Sequence, residues 1–150
     1  MDQEIVELMD IALDREIAAQ AFYIAGQKKT DDPGAIQLMK ELAKQEEKHY
    51  EWIKKFKDTG TPGSWSSRVL SDLKISENLI DTRIPEQAGL QDVITAAMKR
   101  EEFSAQFYSK MKNTAESEPA RDLCEKLNNE ERKHKLKLEK FYDEIFNKEN

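Results

Sequence analysis

The sequence repeats itself at one fixed offset. Displacing the first half by 85 residues places Ala12 on Ala97, Arg15 on Arg100, Glu16 on Glu101, Phe22 on Phe107 and Tyr23 on Tyr108. Farther along, Ala35 falls on Ala120, Leu38 on Leu123, Leu42 on Leu127, Glu46 on Glu131, Lys48 on Lys133, His49 on His134 and Phe56 on Phe141. No insertion is needed. Helices of similar composition align by accident over short stretches. A constant offset through two successive segments of each half is instead the mark of a duplicated unit. Each unit carries apolar residues at helical spacing in two segments, so the unit is a helical hairpin and the chain is all-α with four long helices.

The first helix is predicted over about 5–28. Ile5, Leu8, Met9, Ala12, Glu16, Ala19, Phe22 and Tyr23 share its inward stripe, and Lys28 and Lys29 suit its C-terminal end. Asp32 is placed to cap a second helix with Pro33 in its first turn. That helix runs over about 33–57 with the stripe Leu38, Leu42, Glu46, His49, Ile53 and Phe56. The run from Asp58 to Ser64, rich in Gly, Pro and Thr, breaks it. A connecting stretch follows to about Gly89, compatible with a short helix around 68–79. The third helix spans about 90–113 and the fourth about 119–146, the latter with Leu123, Leu127, Glu131, His134, Leu138 and Phe141 inward. The reading is one domain: hairpin 1 over about 4–58, a crossover linker over about 59–88, and hairpin 2 over about 89–147.

Composition agrees with long amphipathic helices: 36% of the 150 residues are charged and 38% hydrophobic, which supplies each helix with a solvated outer face. The net charge of −6 is spread among interspersed acids and bases. No basic block is present to neutralise phosphates, so no nucleic-acid partner is expected. No apolar run reaches the roughly 18 residues of a membrane span, and the start Met1-Asp2-Gln3-Glu4 has no secretory character. Cys124 is the sole cysteine. It reads as a small core residue, and a lone thiol fits the reducing cytoplasm.

Only two histidines occur, and each lies three residues after a glutamate: Glu46-Glu47-Lys48-His49 and Glu131-Arg132-Lys133-His134. Positions i and i+3 project from one helical face, and both pairs lie on apolar stripes. Glu16 and Glu101 lie on the stripes of the other two helices. Glu16 and Glu46 are each 15 residues from Asp31 in the first turn, as Glu101 and Glu131 are from Glu116 in the second. In an antiparallel hairpin each pair is therefore level, about 22 Å from its turn. A pseudo-twofold axis would bring four carboxylates and two imidazoles into one slice of a bundle. Burying four carboxylates together costs several kcal/mol per ion without compensation. Two divalent cations would supply the missing charge. Oxygen ligands with one imidazole per ion suit iron or manganese, although zinc could occupy such a site.

A single Glu-x-x-His in a chain this rich in glutamate is usually a solvated helix face, and a single stripe glutamate is often an edge residue. Six such residues at matched levels argue for metal ligands. Glu47, Glu102 and Glu130 sit about 100° round the helix from these positions and are expected to be exposed. Tyr23 and Tyr108 follow Glu16 and Glu101 by seven residues. They read equally well as core aromatics or as hydroxyls near the metal carboxylates, acting as hydrogen-bond donors or electron relays. Phe22, Phe107, Trp52 and Phe56 read as packing.

With these residues, the chain resembles the ferritin-like di-iron carboxylate superfamily, and within it the rubrerythrins. The resemblance covers the four helices. It implies a ferritin-like bundle whose linker crosses the bundle's length, so that the second and third helices run parallel. It implies Glu46 and Glu131 as bridging ligands, Glu16 and Glu101 as terminal carboxylates, and His49 and His134 as terminal nitrogen ligands. It implies further a redox role on peroxide or dioxygen, a separate electron-donor protein and a homodimer. Iron storage and a purely structural metal site are the competing readings. Two departures stand out. The chain lacks the Cys-x-x-Cys pairs of a rubredoxin-like domain, and Ser104 stands where typical rubrerythrins carry an extra carboxylate associated with peroxide reduction.

Overall fold

The computed structural model describes residues 3–59 and 84–147, with side chains from residue 6 onward. The short helix expected around 68–79 and the place of the Ile5 side chain lie outside the described residues. Among the described residues there are four helices: α1 (Gln3–Gln27), α2 (Pro33–Thr59), α3 (Leu90–Lys112) and α4 (Glu118–Phe146). Their starts have local causes. Asp32 Oδ2 accepts from the Ala35 backbone N–H at 2.8 Å. At the equivalent place 85 residues on, Ser117 Oγ accepts from the Ala120 N–H at 3.2 Å, so both second helices are capped by a side-chain oxygen that satisfies an orphan N–H. At α3 the Gly89 N–H donates to Asp92 Oδ2.

α1 packs along α2, and α3 along α4; the two hairpins then meet through α2 with α4 and α1 with α3. The interior consists of two apolar clusters. One contains Leu8, Met9, Ala12, Ile53, Phe107, Tyr108, Ala120, Cys124 and Leu127. The other contains Val93, Ile94, Ala97, Leu138, Phe22, Tyr23, Ala35, Met39 and Leu42. Taken in that order, each residue of the first is the 85-residue equivalent of one in the second. The duplication is thus a structural pseudo-twofold, and the two clusters are its related halves. The stripe ends Leu38, Phe56, Leu123 and Phe141 are only half-buried. Ala35, Met39, Ala120 and Cys124 lie deeper. Cys124 is a core residue, and burial pushes its thiol up to about 12.

The halves differ in one compensating swap. A Cβ added at Gly26 would meet Met39 Sδ at 2.7 Å and Val93 Cγ1 at 3.1 Å. The equivalents of Gly26 and Met39 are Met111 and Cys124, both fully buried. The large side chain comes from the second helix in one half and from the first helix in the other, so each half keeps one methionine there while its source changes. Gly26→Met alone overfills its half and should cost about 1–3 kcal/mol in guanidinium unfolding. Adding Met39→Cys transposes the pair found in the other half and should recover more than half of that loss, a coupling that a double-mutant cycle reads directly.

Candidate metal centre

Between the two apolar clusters lies a polar slice. Glu16, Glu46, His49, Glu101, Glu131 and His134 are all buried, none more than 2% exposed. One helix contributes each element: Glu16 from α1, Glu46 and His49 from α2, Glu101 from α3, Glu131 and His134 from α4. The i,i+3 spacing on α2 and α4 turns each glutamate and its histidine to the same side. His49 Nδ1 is 3.5 Å from Glu46 Oε1, 2.9 Å from Glu131 Oε1 and 3.8 Å from Glu16 Oε2. His134 Nδ1 is 3.6 Å from Glu131 Oε1, 3.1 Å from Glu46 Oε1 and 3.5 Å from Glu101 Oε2. The imidazole rings lie parallel, 8° apart, with centroids 5.5 Å apart.

Two sets of candidate ligands result. Glu16, Glu46, His49 and Glu131 offer four atoms within 4.8 Å of one another, and so do Glu46, Glu101, Glu131 and His134. Glu46 and Glu131 belong to both sets. The inward atoms Glu16 Oε2, Glu46 Oε1, Glu101 Oε2, Glu131 Oε1 and both Nδ1 atoms have no hydrogen-bond partner in the protein. Buried polar atoms are ordinarily satisfied, so converging orphaned acceptors are what a cation-binding cage requires. Hard oxygen donors with one imidazole per set fit two divalent ions of the iron or manganese kind.

The tyrosines join this arrangement across the hairpins. The Tyr23 hydroxyl, on α1, donates to Glu101 Oε1 on α3. The Tyr108 hydroxyl, on α3, donates to Glu16 Oε1 on α1. Each hydroxyl fixes the outer oxygen of a carboxylate whose other oxygen faces the slice. Both phenols are raised well above their usual value, by burial first and then by the carboxylates, so they stay protonated donors. Among the acids expected to be solvated, Glu47 is exposed, while Glu102 and Glu130 are half-buried. Glu102 faces outward cations, Arg132 at 3.6 Å and Lys135 at 3.5 Å.

Three features were not anticipated. The Arg15 guanidinium stacks on Phe107 and Phe103 of α3, and Arg100 stacks on Phe22 of α1. Ser104 Oγ accepts from Arg15 Nη2 at 2.8 Å. The half-buried Trp52 packs its ring 5.1 Å from that of His49, with Lys126 Nζ 3.8 Å from the indole centroid. A signal for the arginines was present: Arg15 and Arg100 stand at equivalent places beside Glu16 and Glu101, and at helical spacing from Phe22 and Phe107.

A four-helix bundle with a Glu or a Glu-x-x-His directed inward from every helix defines the ferritin-like carboxylate class. The family model for rubrerythrin matches residues 7–142, and the chain belongs to the rubrerythrin family, whose domain is of the di-iron type. Its fold is also that of a hypothetical protein from Pyrococcus furiosus, at a TM-score of 0.72 and 24% identity, covering 98% of this chain and 92% of that one. No curated protein sequence matches the chain.

Electrostatics make the metal-free slice sensitive to pH. Burial, then repulsion from neighbouring carboxylates, raises Glu16 and Glu131 well above the usual range. Burial acts on Glu46 in the same direction, but the adjacent histidines outweigh it and bring Glu46 to about 2. Burial lowers His49 to about 4. It would also lower His134, yet Glu101 and Glu46 lift that imidazole from 6.5 to about 9. A group held more protonated in the folded than in the unfolded chain loses stabilising power as pH rises through that interval. His134 acts in this sense between its ordinary 6.5 and about 9, where His49, at about 4, and Glu46, at about 2, no longer change. Chelator-treated protein should therefore lose more than about 1 kcal/mol of unfolding free energy between pH 6.5 and pH 9, measured by denaturant titration at the two ends.

Proposed function

We propose that the chain is a di-iron carboxylate oxidoreductase that reduces peroxide or dioxygen, or oxidises ferrous iron in the same act, with electrons from a separate donor protein. The observation that carries this reading is the pair of ligand sets sharing Glu46 and Glu131. Two ions held by shared carboxylates are held at a fixed separation. A ferrous pair supplies two electrons together, the number needed to reduce a peroxide O–O bond to water.

The chain's own groups have distinct tasks in this reading. Glu46 and Glu131 would each bind both ions. Glu16 with His49, and Glu101 with His134, would complete the two ends, the histidines through Nδ1. Tyr23 and Tyr108 would hold the outer oxygens of Glu101 and Glu16, so that those carboxylates keep one oxygen directed at the centre and change binding mode only by breaking a hydrogen bond. The apolar clusters on either side exclude bulk water. Ser104, where the resemblance would place a further carboxylate, is bonded to Arg15, which supports a symmetric six-ligand centre. Iron is favoured by the donor set, and the lone buried thiol suits a cytoplasmic setting. A homodimer is part of the same reading. Among the described residues no helix is long and apolar enough to cross a membrane.

Loading the metal-free protein anaerobically with ferrous iron should give about two ions per chain. Because the ligand sets overlap, the variants should sort into two kinds. Glu46→Ala and Glu131→Ala should weaken both ions by at least about tenfold. Glu16→Ala and Glu101→Ala should each lose one ion and keep the other. Peroxide or air should then raise near-ultraviolet ferric bands in the wild type and not in Glu46→Ala. Ions bound without any oxidation would favour a structural centre, and no stoichiometric binding would remove the metal reading altogether.

A further inference from the structure

Outside the six candidate ligands, the groups in the interior that most need an explanation are the two guanidiniums. The centre of the Arg15 guanidinium lies 4.7 Å from the Phe107 ring centroid and 5.7 Å from that of Phe103. Arg100 lies 4.9 Å from the Phe22 centroid. Phe22 meets Tyr23 edge-on with centroids 5.4 Å apart, and Phe107 meets Tyr108 in the same way at 5.3 Å. Those tyrosines donate to Glu101 and Glu16. Each guanidinium is therefore one aromatic pair away from a carboxylate of the centre, in the contact between α1 and α3. Arg100 Nε and Nη1 are buried without a hydrogen-bond partner among the described residues. Cation–π stacking accounts for the planar faces of these groups but not for their retained charge. Burial draws both below the usual arginine value, and the nearby phenols and carboxylates, Glu46 among them, oppose it. Arginine stays charged throughout.

We propose that Arg15 and Arg100 are positioning residues that set the net charge of the metal centre and so raise the reduction potential of the ions it holds. The inference rests on the metal-centre reading above. Oxidising one ferrous ion to ferric passes one electron to an acceptor and adds one positive charge to a buried site. A fixed guanidinium beside that site opposes the added charge, and the low-dielectric surroundings leave the opposition largely unscreened. Four carboxylates and two divalent ions sum to zero, so each guanidinium beside them biases the reduced centre's surroundings towards positive charge. The reduced state is the one such surroundings favour least reluctantly.

The test compares Arg15→Gln, Arg100→Gln and the double variant with the charge-preserving Arg15→Lys and Arg100→Lys. Each protein is loaded anaerobically with ferrous iron, its iron is counted, and it is titrated against redox mediators while the ferric absorbance is followed. The expected result is an unchanged iron count and a ferric-to-ferrous ratio at least tenfold higher in Arg100→Gln at fixed potential, a fall of about 59 mV for a one-electron couple. The double variant should move farther in the same direction. The lysine variants should stay within about threefold of wild type even where lost stacking lowers their melting temperature. Gln variants that load iron at the wild-type potential, whatever their melting temperature, would overturn the proposal and leave the arginines as packing. If Arg100→Gln does not fold, the Arg15 pair of variants decides by the same comparison. A wild-type protein that takes up no iron would strike the metal-centre reading itself, and the iron count separates that outcome from the others.

Discussion

Four carboxylates brought together out of water are the constraint around which the rest of the structure is arranged. Each would keep its hydration if left at the surface, and together they repel one another. Their positions show how that cost is distributed. Two of the four have an oxygen held by a tyrosine from the opposite hairpin. Glu46 and Glu131 approach the imidazoles of both histidines. One oxygen of each carboxylate converges on the slice without a hydrogen-bond partner among the described residues. A protein interior rarely leaves such groups unsatisfied, and a pair of divalent ions would satisfy them at once. The apolar clusters above and below then have a second task beside stability, since they keep the slice dry enough for its charges to interact strongly.

The pseudo-twofold explains why the arrangement is reciprocal. α1 reaches over to α3 with a tyrosine and an arginine, and α3 returns the same pair to α1. Either hairpin alone would hold half of the ligands and none of the hydroxyls that orient them. The symmetry is not complete, and three of its breaks have a local reason or consequence. Met39 with Gly26 and Met111 with Cys124 each put one methionine at the same place in their half. Ser104, whose equivalent is Ala19, gives Arg15 a partner that Arg100 lacks. Trp52 covers His49 from a half-buried position, whereas its equivalent is Lys137, so the two histidines have different surroundings.

Much of this was legible beforehand because helices convert sequence spacing into direction. The inward placing of Glu16, Glu46, His49, Glu101, Glu131 and His134 follows from their register with Leu42, Leu127 and the other stripe residues. The caps at Asp32 and Ser117 follow from turn chemistry, although only Asp32 was picked out in advance. Cys124 behaves as the small core residue expected of it. The edges of the stripes were less legible. Leu38, Phe56, Leu123 and Phe141 look as central as their neighbours in the sequence, yet they are only half-buried. Glu102 and Glu130 are less exposed than their angular position suggested; Arg132 and Lys135 of α4 lie against Glu102.

By itself, then, the sequence determined the duplication, the four helices and the level at which six candidate ligands face inward, since those depend on a repeat and on 3.6 residues per turn. Only the tertiary structure decided which hairpin's hydroxyl meets which carboxylate, which oxygen is left facing the centre, and that Arg15 and Arg100 lie across the α1–α3 contact on one another's aromatic rings. Those outcomes depend on the distance and rotation between helices. Packing of side chains from both hairpins sets these quantities, and no spacing along a single chain encodes them.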